Sequence, residues 1–315
     1  SFGLAPADAQ GVHGHSAAEQ HRGRDRAVPL GQGHQPEADE QGGPGPAHPA
    51  SGGAMSLDAA ADRHLQEHDQ HGVQHRIDYR FDGSLPTATS ICQDDVFGNK
   101  EINLSIPYVE RSVDFAAWIL VERCKEVYPM YLPAERLSDP WLLEASALTL
   151  PDDNVRRIAA QFAAEGKQGL ALAHHINGWV HQQLRYAHDV TDIHTTAAQA
   201  LALGQGVCQD YAHLMLALCR LCALPARYVS GHMLGEGGTH AWVEVFFPVV
   251  DQPDKAMVIP FDPTHGRQAG LSYLTIAVGR DYFDVAPTSG TFCAAYRGQL
   301  LTNKRVNLAA LEYAE

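Results

Sequence analysis

One thiol in this sequence stands where a nucleophile would be useful. The run GQGVCQDYAHLMLALCRLC (204–222) places Cys208 directly before a segment that is apolar around most of its circumference. Such a segment reads as a helix buried in a domain, with Cys208 in its first turn. Unpaired backbone N–H groups and the positive end of the helix dipole favour an anion there. A thiolate is such an anion, and the same N–H groups would suit the oxyanion of a tetrahedral intermediate. The preceding Gly-Gln-Gly lets the chain turn sharply and leaves the approach to sulfur uncrowded.

A nucleophilic thiol needs a base and a group that orients the base. THAWVEVFFP (239–248) sets His240 at the start of an alternating strand, and MVIPFDPTHG (257–266) ends a second β run at Asp262-Pro263. A carboxylate there can accept from the second imidazole nitrogen and fix its tautomer. If the two strands are adjacent and antiparallel, His240 and Asp262 lie side by side. His232 and His265 compete for the base role in sequence, but His240 alone begins a rigid strand, whereas His265 falls in a turn. Asp210 and His213 read as support for the helix start, His213 facing the core or Asp210 at i+3. Trp242 reads as packing. Cys219 and Cys222 form a C-x-x-C pair, but no second pair follows at zinc-ribbon spacing, so core packing is expected and no metal site.

The elements that must position these residues follow from periodicity and caps. RIDYRF, ATSICQDDVFGN, KEINLSIPY and DFAAWILVER are short β-type runs, with a turn at Gly98-Asn99. Residues 73–128 are therefore expected to be a β-rich region. Pro129, Pro133, Pro140 and Pro151 mark 129–150 as a linker. DNVRRIAAQFAAEG, GLALAHHINGWVHQQLRY and TTAAQALALG are helical, capped near Asp152–Asn154 and by Thr195 or Thr196, the last ending at Gly204. Helices, the buried thiol helix and then strands give an α+β core over 151–315.

Composition narrows the function. The 315 residues carry 23 Lys+Arg against 37 Asp+Glu, a net charge of −14. That surface repels phosphate backbones, so no nucleic-acid partner is expected. No apolar run reaches about 18 residues, so no membrane span is expected, and the first residues lack the basic start and apolar stretch of a secretory signal. Six cysteines in this length point to free thiols in a reducing, cytoplasmic setting. Residues 1–72 are rich in Gly, Pro, Ala, Gln and His. They are expected to be a disordered or non-native leader, with Met55 a candidate start. Nine of the 18 histidines fall between His13 and His75 without the fixed spacing of a metal site.

Three segments together, TTAAQALALGQGVCQDYAHLMLALCRLCALPARYVSGHM, THAWVEVFFP and FDPTHG, resemble the core of the transglutaminase-like superfamily in its bacterial, cysteine-protease-type form. The resemblance covers roughly 171–273, and 77–123 with DDVFGN is similar to a shortened form of the β-sandwich that precedes such cores. It implies a papain-like fold, a thiol-bearing helix packed on an antiparallel sheet, with Cys208, His240 and Asp262 as the catalytic residues. It implies acyl transfer on amide or peptide bonds of a protein or peptide substrate through a thioester, with no metal or organic cofactor. Hydrolysis is the expected outcome; glutamine cross-linking, or a binding module that kept only the fold, are the alternatives. Many relatives carry a Trp shortly before the Asp-Pro, where this chain has Met257, Val258 and Ile259.

Overall fold

Apolar stripes and caps account for most of the elements. A computed structural model of the chain describes residues 54–58, 74–84, 88–123, 130–235, 238–291, 299 and 301–310, all within the unit Pro49–Glu315. In chain order the strands are β1 (Ala54–Asp58), β2 (Gln74–Gly83), β3 (Thr89–Asp94), β4 (Lys100–Ser105), β5 (Phe115–Arg123) and β6 (Met130–Pro133). Then come α1 (Pro140–Leu143), α2 (Asp153–Ala164), α3 (Gly169–Gln183), β7 (Arg185–Tyr186), α4 (Ala197–Leu203), β8 (Gln205–Gly206) and α5 (Cys208–Leu221). The chain closes with β9 (Ala226–Met233), β10 (Thr239–Pro248), β11 (Lys255–Asp262), β12 (Arg267–Gln268), β13 (Tyr273–Gly279) and β14 (Thr288–Gly290).

α5 is the centre of the molecule, and the expected α+β core forms around it. Every residue from Gln209 to Arg220 is buried, because α2, α3 and α4 cover one side and the sheet covers the other. The sheet runs β12-β11-β10-β9-β13, with β6 also paired to β11. β10 is buried on both faces along almost its whole length. Its Ala241, Val243, Val245 and Phe247 join the cluster around α5, and Trp242 packs with Val229, Met233, Tyr273 and Val278. The caps are local. Asp152 accepts from the Val155 N–H, Thr196 and Gln199 form a reciprocal box, and Gly204 at φ 66° closes α4.

Two stretches differ from what composition suggested. Of the expected linker 129–150, residues 130–150 belong to the core: Met130, Leu132 and Leu142 bury against Phe246, Ala256 and Val258. The prolines sit where they cost little, Pro133 ending β6 and Pro140 in the first turn of α1 behind the Asp139 cap. Buried Arg220 of α5 pins this stretch by donating to Thr149 Oγ1 (2.8 Å), Ser146 Oγ (3.3 Å) and the Arg280 carbonyl (2.8 Å). Within the expected leader, residues 54–58 form β1, paired on both sides by β4 and β14, which satisfies its backbone groups. The rest of 1–72 lies outside the described residues.

The β-rich region has two layers, β2 with β5 and β14-β1-β4-β3, sharing a small core of Ile102, Leu104 and Ile106 with Tyr79, Phe81 and Phe115. Two amide side chains fasten it to β13, the edge strand of the large sheet. Gln74 donates to the Thr275 carbonyl (2.9 Å) and accepts from the Thr275 N–H (3.1 Å). Asn99 does the same at Val278 (2.8 and 2.9 Å). Each amide stands in for one residue of a neighbouring strand and covers the exposed edge.

Candidate active site

The thiol is presented by a start of α5 that needs both glycines, for different reasons. Gly204 adopts φ 66°, which glycine reaches without strain. Gly206 is required by crowding: a Cβ there would lie 2.5 Å from Asp210 Oδ2. That carboxylate folds back over the turn to accept from the Val207 N–H (2.7 Å) and the Thr191 hydroxyl (2.7 Å). Asp210 thus supports the helix start through Thr191 and Val207. His213 faces the core instead, accepting at Nε2 from the Tyr282 N–H (3.2 Å). Burial pulls the His213 pKa down to about 3, so it stays neutral.

His240 and Asp262 meet across β10 and β11, although not side by side. The register pairs Val243 with Phe261 and Glu244 with Pro260, which sets Asp262 two residues along from the position facing His240. The diagonal is within reach of an imidazole, and His240 Nε2 stands 2.9 Å from Asp262 Oδ2. An ionised carboxylate only accepts, so Nε2 carries the proton. Nδ1 is then the nitrogen left for Cys208, whose half-buried thiol is near enough to favour the imidazolium. Trp242 lies against the imidazole, centroids 6.3 Å apart at 27°. Gly231 leaves room for that indole, since a Cβ there would come 2.5 Å from it.

Asp262 is fully buried and heavily solvated by the protein itself. Its Oδ1 accepts from the N–H groups of Thr264 (2.9 Å) and His265 (3.2 Å). Its Oδ2 accepts from His240, from His265 Nδ1 (2.7 Å) and from the Tyr273 hydroxyl (2.6 Å). Tyr273 is in turn contacted by Arg267 Nε (3.1 Å). Burial alone would raise this carboxyl; the bonds from His240, Tyr273 and His265 outweigh it and hold the pKa well below the usual carboxylate range. Burial likewise works against the His240 cation, but the bonds and charges of Asp262 and Cys208 prevail and push its pKa up to about 10.

Tyr273 carried no signal in the sequence. It starts β13, three strand spacings from β11, about 14 Å on a flat sheet at ~4.8 Å per strand. The bond to Asp262 closes only because the sheet curls. The contact of His265 with Asp262 was also missed, although its place three residues beyond Asp262 is a signal for a local side-chain turn. His232 stands apart from this group, its Nδ1 bonding the Gly238 carbonyl (3.1 Å). Cys219 is buried in the core of α5, where burial pushes its thiol up, and Cys222 lies near the Ala159 carbonyl. Among the described residues one group has metal-ligand character: donor atoms of His240, Asp262 and His265 lie within 4.8 Å of one another. Those atoms already satisfy each other through hydrogen bonds. No helix among the described residues is long and apolar enough to cross a membrane.

Residues 156–263 match the family model of the Transglutaminase-like superfamily, a stretch that holds Cys208, His240 and Asp262. A chain from Cytophaga hutchinsonii, provisionally described as a cysteine protease, is similar in structure at a TM-score of 0.59 and 21% identity, over 77% of this chain and 81% of that one. At that identity the likeness is one of fold. Uncharacterized proteins of Mycobacterium leprae and Mycobacterium tuberculosis (strain H37Rv) are 35% identical over 124 residues and 32% identical over 149. The matches take in 36% and 44% of this chain and 42% and 47% of theirs, so the chain spans less than half the length of those relatives. Residues 156–263 thus match the transglutaminase-like superfamily, and the thiol-bearing helix packed on a curled antiparallel sheet has the fold of the Cytophaga hutchinsonii chain.

Proposed function

We propose that the chain is a thiol-dependent hydrolase of amide or peptide bonds, with Cys208 as nucleophile, His240 as acid and base, and Asp262 as the group that orients His240. The observation that carries this reading is the chain of contacts from Cys208 through His240 to buried Asp262. With His240 as its cationic partner, the Cys208 thiolate attacks the carbonyl carbon, and the developing oxyanion is held by the Cys208 backbone N–H at the positive end of α5. His240 gives its Nδ1 proton to the leaving amine as the C–N bond breaks, which leaves a thioester on Cys208. Water attacks the thioester, His240 takes its proton, and the thiolate leaves as the carboxylic acid is released. Asp262 keeps Nε2 protonated throughout, so that Nδ1 alone exchanges protons.

Hydrolysis is preferred to glutamine cross-linking because the site is open to water on the His265 side, where a third of that side chain is exposed. A transferase must exclude water from its thioester. The substrate is a protein or peptide. The four described cysteines are all free, which supports a reducing, cytoplasmic setting. The test is amine or ammonia release from a peptide library with and without a primary amine. Release that does not depend on added amine, and is lost in Cys208→Ala, is the expected result. Amine incorporation would replace hydrolysis with cross-linking, activity retained in Cys208→Ala would remove Cys208 as the nucleophile, and no release by the wild type would leave a binding module.

A further inference from the structure

His265 has no part in the reaction as written, yet it is closer to Asp262 than the base is. Its Nδ1 lies 2.7 Å from Asp262 Oδ2, against 2.9 Å for His240 Nε2 on the same oxygen. The turn that carries it is held independently. The backbone N–H groups of Thr264 and His265 donate to Asp262 Oδ1, which is all that an Asx-type turn requires. From the other side His181 Nδ1 donates to the Thr264 carbonyl (2.9 Å), and its ring lies against Gly266. The second bond from His265 therefore adds nothing that the turn lacks. It falls on the oxygen that faces the base, where three donors converge on two lone pairs.

We propose that His265 is a positioning residue for acyl transfer: its Nδ1–H, together with the Tyr273 hydroxyl, holds the Asp262 carboxylate in the orientation that meets His240 Nε2. The inference rests on the reading of Cys208, His240 and Asp262 given above. Rotation of the carboxyl about its Cα–Cβ–Cγ torsions would move Oδ2 off the diagonal to His240, and Oδ1 alone cannot prevent it because its partners lie in the same turn. His265 approaches Oδ2 from the β11–β12 turn and Tyr273 from β13. Between them they bracket the oxygen, leaving one direction for Nε2.

The experiment is the rate of Cys208 alkylation by iodoacetamide at pH 7 in the full chain, followed by peptide mass, for His240→Ala, Asp262→Asn, His265→Asn and His265→Gln. The Asn amide N–H stands where Nδ1 stood; the Gln amide reaches one bond too far but fills the space. His265→Asn is expected to alkylate at nearly the wild-type rate and His265→Gln about tenfold more slowly, the size of one lost bond to a charged group, at equal melting temperatures. Equal rates for Asn and Gln, with His240→Ala and Asp262→Asn both slowed, would overturn the role of His265 and leave the proposed reaction standing. A wild-type rate in His240→Ala would overturn both.

Discussion

The β-rich region and the helix-and-sheet core are built on opposite balances of burial and polar pairing. In the core, α5 and β10 are covered on all sides, and Val155, Leu214, Val243 and Val258 have no exposed surface. In the β-rich region all six residues of β3 are exposed, and Ile77, Ile91 and Trp118 keep half or more of their surface in water. A two-stranded sheet has little apolar surface to hide behind. Backbone ladders hold that region together, a small shared core adds to them, and the amides of Gln74 and Asn99 dock it on β13. The proposed reacting groups, Cys208, His240 and Asp262, sit wholly on the other side of this division. Their arrangement depends on a rigid, buried frame that the β-rich region does not supply.

The contrast can be broken from either side, and the core should break harder. Cys208→Ala is expected to lower amide cleavage by about 10⁴-fold or more without moving the melting temperature, as read by turnover and calorimetry. Asp262→Asn should cost about 10³ to 10⁴-fold in kcat and should also change the pH profile. His240 acts as an acid only while protonated, so wild-type activity is expected to fall as pH rises through about 10. Without the Asp262 charge only Cys208 is left to offset the burial that opposes the cation, and that limb should move to lower pH. A limb that stays in place would show that Asp262 does not govern His240.

Stability should divide along the same line. Leu216→Ala, in the middle of α5 with no exposed surface, is expected to cost about 2–5 kcal/mol in denaturant melts. Asn99→Ala should cost about 1–3 kcal/mol, because it leaves the Val278 backbone groups without their partners, while Cys208 alkylation stays at the wild-type rate. If alkylation falls as well, the two regions are coupled more tightly than two amide contacts imply. Ile91→Thr, on exposed β3, should stay within about 0.5 kcal/mol. A larger loss would mean that β3 is covered by something in solution.

Much of the core was legible because its signals are local. Asp152, Thr196 and Gly204 mark helix ends through bonds to residues three or four positions away, and the all-round apolarity of 208–222 announces a central helix. Residues 129–150 misled for the same reason: their prolines speak about local conformation, whereas the burial of Met130 and Leu132 depends on β11, more than a hundred residues on. In the β-rich region the run FAAWILVER reads as an apolar β-type run, yet no residue of β5 is buried, since sequence states what a strand could bury and not whether anything arrives to cover it.

For the proposed reacting groups, the sequence by itself determined that a thiol begins a buried helix, that a histidine begins one strand and that an aspartate ends another. Those facts rest on side-chain periodicity and on caps within a few residues. Only the tertiary structure decided the register that sets His240 diagonal to Asp262 and the curl that carries Tyr273 across three strands. Each depends on hydrogen bonds between strands whose relative position is fixed by packing on α5, and no local pattern encodes a distance that the whole sheet has to close.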